Sequence, residues 1–454
     1  MTGGCRIIFD VSSIARWTGP AVGIARVENA LAAYAIAHRP DVVLSIYDQG
    51  TGSFRVLDPK WAAQLIGWDA SLEILEFEYR RDSKRLRNRV PSRYSVFMAL
   101  ERWRLTSRHS WLRQGVDFLQ RTLMLARRLP PPFADGSGRL AVVPAKLVLR
   151  ETLSLGPGDI LVTAGYDWYQ MDANAIKALK QASGFRYVAM CYDIIPLMFP
   201  AFYRAADVAT FGTHWRAMFA LADRIIVNSR RVAADIAAFC AEIEIRAPDM
   251  RVVPLGYARA RPAQDACVPE GLERDRFVLF VSTIEPRKGH GMLIKVWRRL
   301  LAAGIPQRYR FKIVFVGRVG WMVDDILREI DDMRGSTGTL VHLTDVADSV
   351  LAGMYQACAF CVYPSRYEGF GLPIVEAFSY GKAVIASTGG TVPETVSGLS
   401  PCLDPADDDA WYREIERWIE EPAARAPYEA RIRDSFKHPD WEHAAAQFFD
   451  AVSR

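Results

Sequence analysis

The feature that most constrains this chain is a rhythm of short, unbroken apolar runs separated by stretches with helical spacing, and the rhythm occurs twice. In the first series the runs are Arg6–Asp10, Val42–Tyr47, Asp159–Ala164, Arg186–Cys191, Arg224–Asn228 and Arg251–Leu255. Helical spacing fills Ile24–Ala37, Ala173–Gln181, Val208–Leu221 and Val232–Phe239 between them. The second series has Phe277–Val281, Lys312–Val316, Leu340–Leu343, Phe360–Tyr363 and Ala383–Ala386, with helices over Met292–Leu301 and Asp348–Gln356. Runs without polar alternation suit strands buried on both faces, which means parallel sheets covered by their own crossover helices.

The polar stretch Ala260–Glu273, holding Pro262 and Pro269, reads as a linker between the two series. With 454 residues the chain is long enough for two cores. The expected fold class is therefore α/β, with two Rossmann-like domains facing across a cleft and ligands at the carboxyl ends of the strands.

Composition serves mainly to exclude. Seven scattered cysteines predict a reducing compartment rather than a disulfide framework. Only Cys358 and Cys361 have CxxC spacing, and they fall in the apolar run CAFCVYPS, which reads as a buried strand. The N-terminus lacks a secretory core and no run is long enough to cross a bilayer, so a cytoplasmic protein is expected. Charge is uneven. Arg80–Arg128 carries fourteen Lys/Arg against three acids. Amphipathic basic helices there fit an anionic membrane surface, an acceptor contact or simply solvated faces. No RNP, zinc-finger or homeodomain pattern supports a nucleic-acid partner.

Four segments carry chemistry. Tyr363–Ser365 ends a strand, and Glu368-Gly-Phe-Gly-Leu-Pro-Ile-Val-Glu376 follows it. Pro373 suits the first helical position, because it gives up an amide that has no partner there. The amides of Phe370, Gly371 and Leu372 would then face an anion with the helix dipole behind them. A diphosphate fits that site; Glu376, one turn into the helix, suits ribose hydroxyls, and Glu368 lies nearer the sugar. The second segment, Val281-Ser-Thr-Ile-Glu-Pro-Arg-Lys-Gly289, follows the first strand of the second series. In the third, Thr18–Gly23, Gly23 opens a helix. In the fourth, Met190-Cys-Tyr-Asp-Ile-Ile-Pro, Asp193 leaves a strand and can cap the turn through backbone amides.

The stretch SRYEGFGLPIVEAFSYGKAVIAS resembles the E-x7-E signature of family 4 retaining glycosyltransferases of the GT-B fold, and more particularly bacterial polysaccharide mannosyltransferases. The resemblance extends over most of the chain from Arg6 and omits Ser71–Pro132. It implies that Glu368 contacts the donor sugar and Glu376 the ribose. It places Lys288 at the leaving diphosphate, where a fixed cation meets developing charge. The family's usual arginine falls on Thr283, so Arg287 is the candidate replacement. Many relatives carry a histidine where this chain has Tyr192, and the resemblance gives Asp193 a second reading, a contact to the donor sugar or acceptor hydroxyl. The expected site is thus Asp193, Lys288 and Glu368 as catalytic residues, with Gly23, Arg287, Lys288, Phe370, Gly371, Leu372 and Glu376 binding the donor. No metal is expected and no cofactor beyond the donor substrate, GDP-mannose being favoured. The implied partners are a nucleotide sugar and a glycan or lipid-linked acceptor. The implied layout is an acceptor-side domain over 1–258 with a basic insertion at about 71–132, a donor domain over 259–435, and a tail, 436–454, crossing back. A sugar-nucleotide epimerase or hydrolase, and a catalytically degenerate donor-binding scaffold, are the rival readings.

Overall fold

The computed structural model describes residues 6–16, 23–67, 72–74, 141–143, 148–258 and 268–454. The basic segment Arg80–Arg128 and the turn 17–22 lie outside them. The chain divides into two compact units, Met1–Ala189 and Met190–Arg454.

In the first unit Ile7–Asp10 pairs in parallel with Val42–Asp48 on one side and Ile160–Thr163 on the other. Arg186–Ala189 pairs in parallel beyond Ile160–Thr163. Ile7, Ile8, Phe9, Ile160, Leu161 and Val162 are all essentially inaccessible, as expected of strands covered on both faces. The sheet is not wholly parallel. Val42–Asp48 turns back through a hairpin into Ser53–Leu57, which pairs antiparallel with it and then with Leu149–Thr152. Ser53–Leu57 buries Phe54 and Leu57 and leaves Arg55 and Val56 part-exposed, so it never formed the unbroken run that marks a central strand.

In the second unit six parallel strands lie in the spatial order Leu340–Leu343, Lys312–Val316, Phe277–Val281, Phe360–Tyr363, Val384–Ser387, Cys402–Leu403. Numbered in sequence within this sheet, the order is 3-2-1-4-5-6. The direction of winding therefore reverses between Phe277–Val281 and Phe360–Tyr363, and a crevice opens outside their carboxyl ends. Helices such as His290–Ala302 and Asp408–Glu420 bury Trp297, Trp411 and Trp418 over the sheet. Cys358 and Cys361 lie in this core with their sulfurs 3.8 Å apart, both as free thiols. Arg224–Val227 and Asp249–Val252 form a parallel pair in the same unit. The last helix, Trp441–Ser453, packs on it, with the Arg224 guanidinium donating to the Ala451 carbonyl at 2.5 Å. Among the described residues, no helix is long and apolar enough to cross a membrane.

Candidate active site

The two strands flanking the reversal each end in a loop, and the loops interlock. One is Ser282–Gly289; the other is Pro364–Gly371. The Arg366 amide donates to the Arg287 carbonyl at 2.8 Å, and the Arg287 guanidinium donates to the Tyr367 carbonyl, also at 2.8 Å. Gly289 has φ 87°, and a Cβ there would lie 2.7 Å from the Pro364 carbonyl oxygen, so only glycine lets the loops meet this closely.

This interlock sets three charges together. Lys288 Nζ lies 2.7 Å from Glu368 Oε1, and Arg287 Nη1 lies 2.8 Å from Glu368 Oε2. Arg287 Nε also lies 3.4 Å from Glu285 Oε2. The side chains are about nine-tenths buried, so the pairs are little screened. Burial alone would push the Glu368 carboxyl up; Arg287 and Lys288 outweigh it and hold the group at about 2. Burial opposes the Arg287 charge, yet Glu368, with Tyr203, Glu285 and Asp193, raises its pKa well above the ordinary value.

Asp193 reaches the same place from a different element. Its Oδ1 accepts the Ile195 amide at 3.0 Å, which is the turn-capping bond. Its Oδ2 lies so close to the Glu368 loop that a Cβ on Gly369 would stand 2.9 Å from it. Burial pushes the Asp193 carboxyl up, while Arg287 pulls it back. One oxygen thus caps the turn and the other faces the loop, so both readings of Asp193 have a geometric basis.

Gly371, at φ 100°, is the N-cap of the helix Leu372–Ser379. Pro373 is the second residue of that helix, one place later than expected, but still within the turn whose amides have no helical partner. Among the described residues no backbone or side-chain acceptor takes the amides of Phe370, Gly371 or Leu372. One turn on, Glu376 Oε2 accepts the Tyr355 hydroxyl at 3.0 Å. Arg287, Lys288, Glu368 and Asp193 are therefore brought together, with Phe370–Leu372 and Glu376 on the adjoining loop and helix. Gly23 belongs to the other unit, where it opens the helix Ile24–His38 with φ 54°.

Sequence reading missed several supports. Gly389 and Gly390 press on the back of the loop, where Cβ atoms would stand 2.4 Å from the Arg366 oxygen and 2.5 Å from the Glu368 oxygen. Thr391 donates through its amide and its hydroxyl to that same Glu368 oxygen, each at 3.1 Å. Asn228 donates to the Tyr192 carbonyl at 3.0 Å, fixing the approach to Asp193. The Tyr203 ring lies tilted against that of Trp321, with ring centres 5.5 Å apart. The dipeptide Gly389-Gly390 was the one local signal among them. Asp10 does not open onto a site: it is 1 % exposed and accepts the Ser12 amide and hydroxyl, so it acts as a turn acceptor.

The whole chain superposes on solved GT-B structures. One is the Anabaena protein HepE in complex with UDP and glucose, with TM-score 0.58, 16 % identity and 99 % of each chain covered. Another is sucrose-phosphate synthase from Thermosynechococcus elongatus, with TM-score 0.58, 18 % identity, and coverage of 99 % of this chain and 98 % of that one. The two parallel-strand α/β sheets are thus those of the GT-B fold. Residues 268–435 match the family model of glycosyl transferases group 1. Among characterised relatives, the O-antigen chain mannosyltransferase B of Escherichia coli is 33 % identical over 175 residues, 38 % of this chain and 45 % of the relative. The MMP alpha-(1->4)-mannosyltransferase of Mycolicibacterium hassiacum is 26 % identical over 230 residues, 49 % of this chain and 52 % of the relative. The chain thus spans about half the length of these relatives.

Proposed function

We propose that this chain is a retaining glycosyltransferase that moves a hexose, with mannose favoured, from a nucleoside-diphosphate sugar to a glycan or lipid-linked saccharide. The observation that carries the reading is the convergence of Arg287, Lys288 and Glu368 beside the unpartnered amides of Phe370–Leu372, at the crevice of the six-stranded sheet. A diphosphate entering there meets two nearly buried cations and a helix N-terminus. It competes with Glu368 for the cations and turns that carboxylate toward sugar hydroxyls. As the glycosidic bond breaks, negative charge grows on the departing diphosphate, and the fixed cations stabilise it without a reorganisation cost. Glu376 takes the ribose, and the free oxygen of Asp193 faces the reacting sugar. Mannose is favoured because mannosyltransferases recur among the relatives. The domain reading goes with it: acceptor side over 1–258, donor side over 259–435, and the tail beyond. A peripheral contact of the basic segment with anionic membrane belongs to the same proposal.

The test measures nucleoside diphosphate released from GDP-mannose, UDP-glucose and UDP-N-acetylglucosamine, with and without a mannoside acceptor. Acceptor-dependent release is expected, with Glu368→Gln and Lys288→Ala each about 100-fold slower at unchanged melting temperature. Full activity in either variant would sink the site assignment. Release that ignores the acceptor would favour an epimerase or hydrolase, and tight donor binding without release a scaffold.

A further inference from the structure

Tyr367 sits immediately before Glu368, and each of its ends is tied to something. Its carbonyl accepts the Arg287 guanidinium at 2.8 Å. Its hydroxyl donates to Asp235 Oδ2 at 2.6 Å and accepts from Arg231 Nε at 2.8 Å. Arg231 in turn pairs with Asp235 Oδ1 at 2.9 Å. Both Arg231 and Asp235 belong to the helix Arg230–Glu242, outside the six-stranded sheet and its loops. The ring is 7 % exposed, with Phe199 at 5.0 Å between centres and the Arg231 guanidinium carbon 5.5 Å from its centre. The phenol is therefore committed to the helix and does not point at a ligand.

A second contact runs parallel to it. Glu394 accepts the Arg230 amide at 3.1 Å and the Arg231 amide at 3.2 Å, one with each carboxylate oxygen. These are the first two amides of that helix, which have no partner within it. Glu394 follows closely on Gly389–Thr391, the segment that holds the Glu368 carbonyl from behind. The loop bearing Glu368 is thus fastened to one helix from two sides.

We propose that Tyr367 is a positioning residue. By tying the loop to Asp235 and Arg231 it sets where Glu368 and Arg287 stand, and so acts on turnover through them. The inference rests on the proposed transferase function. A displacement of about an ångström at a reacting group costs far more rate than stability. Tyr367→Phe keeps the ring packing and removes the tie; Asp235→Ala removes its acceptor from the other end.

The experiment measures steady-state release on the full chain for Tyr367→Phe, Asp235→Ala and the double variant. Tyr412→Phe is the control, since it loses a comparable hydroxyl-to-carboxylate bond, to Glu416 at 2.7 Å, on a different helix. Each single variant is expected to lose about tenfold in kcat with little change in donor KM. The double variant should be no slower than the slower single, because both remove one interaction. Wild-type kcat in both singles, or losses that multiply in the double, would overturn the proposal. Hydrogen exchange provides a readout independent of activity: amides of 366–372 should exchange at least tenfold faster in Tyr367→Phe and Asp235→Ala, and unchanged protection would refute the tie. If the wild-type chain releases nothing from any donor, the transferase reading fails, and exchange still decides whether the tie holds the loop.

Discussion

At the scale of single residues the most instructive is Asp193, because its two oxygens do different things. Oδ1 caps the turn at Ile195, and an asparagine oxygen can do that equally well. Oδ2 faces the Gly369 loop, where only the carboxylate carries a charge toward Arg287. Asp193→Asn therefore separates the roles. It should leave the melting temperature nearly unchanged and lower kcat at least tenfold, whereas Asp193→Ala should lose both. Calorimetry beside release kinetics checks this, and an Asn variant with full turnover would reduce Asp193 to a turn cap. Lys288, Arg287 and Glu368 were legible in the sequence because each belongs to a contiguous motif. Asn228, Glu285 and Tyr203 were not, because what makes them matter is contact between segments far apart in the chain.

At the scale of elements the helix Leu372–Ser379 shows how little backbone is needed to build an anion site. It is short and opens on a glycine at φ 100° and ψ 50°, a conformation costly for any residue with a Cβ. Gly371→Ala should cost about 1–2 kcal/mol by that strain. A Cβ would also crowd Ile374 Cδ1 at 3.2 Å. Relief of the strain would turn the Gly371 and Leu372 amides, so affinity for a free nucleoside diphosphate should weaken. Denaturant midpoints and titration with GDP or UDP measure the two effects, and unchanged affinity would remove these amides from the site. The elements themselves were mostly readable, since unbroken apolar runs announce central parallel strands. The readable part ended at Ser53–Leu57 and Leu149–Thr152, short strands near the sheet edge whose part-exposed residues look like loops. The spatial order 3-2-1-4-5-6 was readable only as what a Rossmann-like domain implies, since no local pattern encodes long-range pairing. That order is what juxtaposes the Arg287 and Glu368 loops.

At the scale of the molecule the two units hold their buried charges in opposite ways, and pH should pull them apart. In the first unit Asp10, Glu28 and Asp167 cluster at the strand ends. Burial pushes Asp10 up to about 7, helped by Asp167, and against the Ser12 bonds and Arg16. Burial likewise pushes Asp167 up to about 6 and Glu28 well above its ordinary range. Groups raised on folding favour the folded state when protonated. The Asp10 and Asp167 contributions are complete below the unfolded value of 3.8 and are lost as pH rises through about 6 to 7, and Glu28 acts in the same direction. The Arg6–Asp159 pair works the other way, but half of the Arg6 side chain is exposed and the pair is correspondingly weak. The second unit has the reverse sign. Burial lowers His290 to about 3 and His214 to about 4, and the two cations hold Glu368 at about 2. These contributions are complete above 6.5 for the histidines and above 4.5 for Glu368, and are lost as pH falls through the folded values. Asp193 and the half-buried Glu429 oppose them, as does the exposed His443 beside Asp440. Calorimetry from pH 8 to pH 4 should therefore resolve two transitions that move in opposite directions, the first unit strengthening as the second weakens. Asp10→Asn should flatten the first unit's dependence above pH 5 and leave the second untouched. Two transitions that shift together would show that these buried carboxyl and imidazole groups do not control how the units respond to pH.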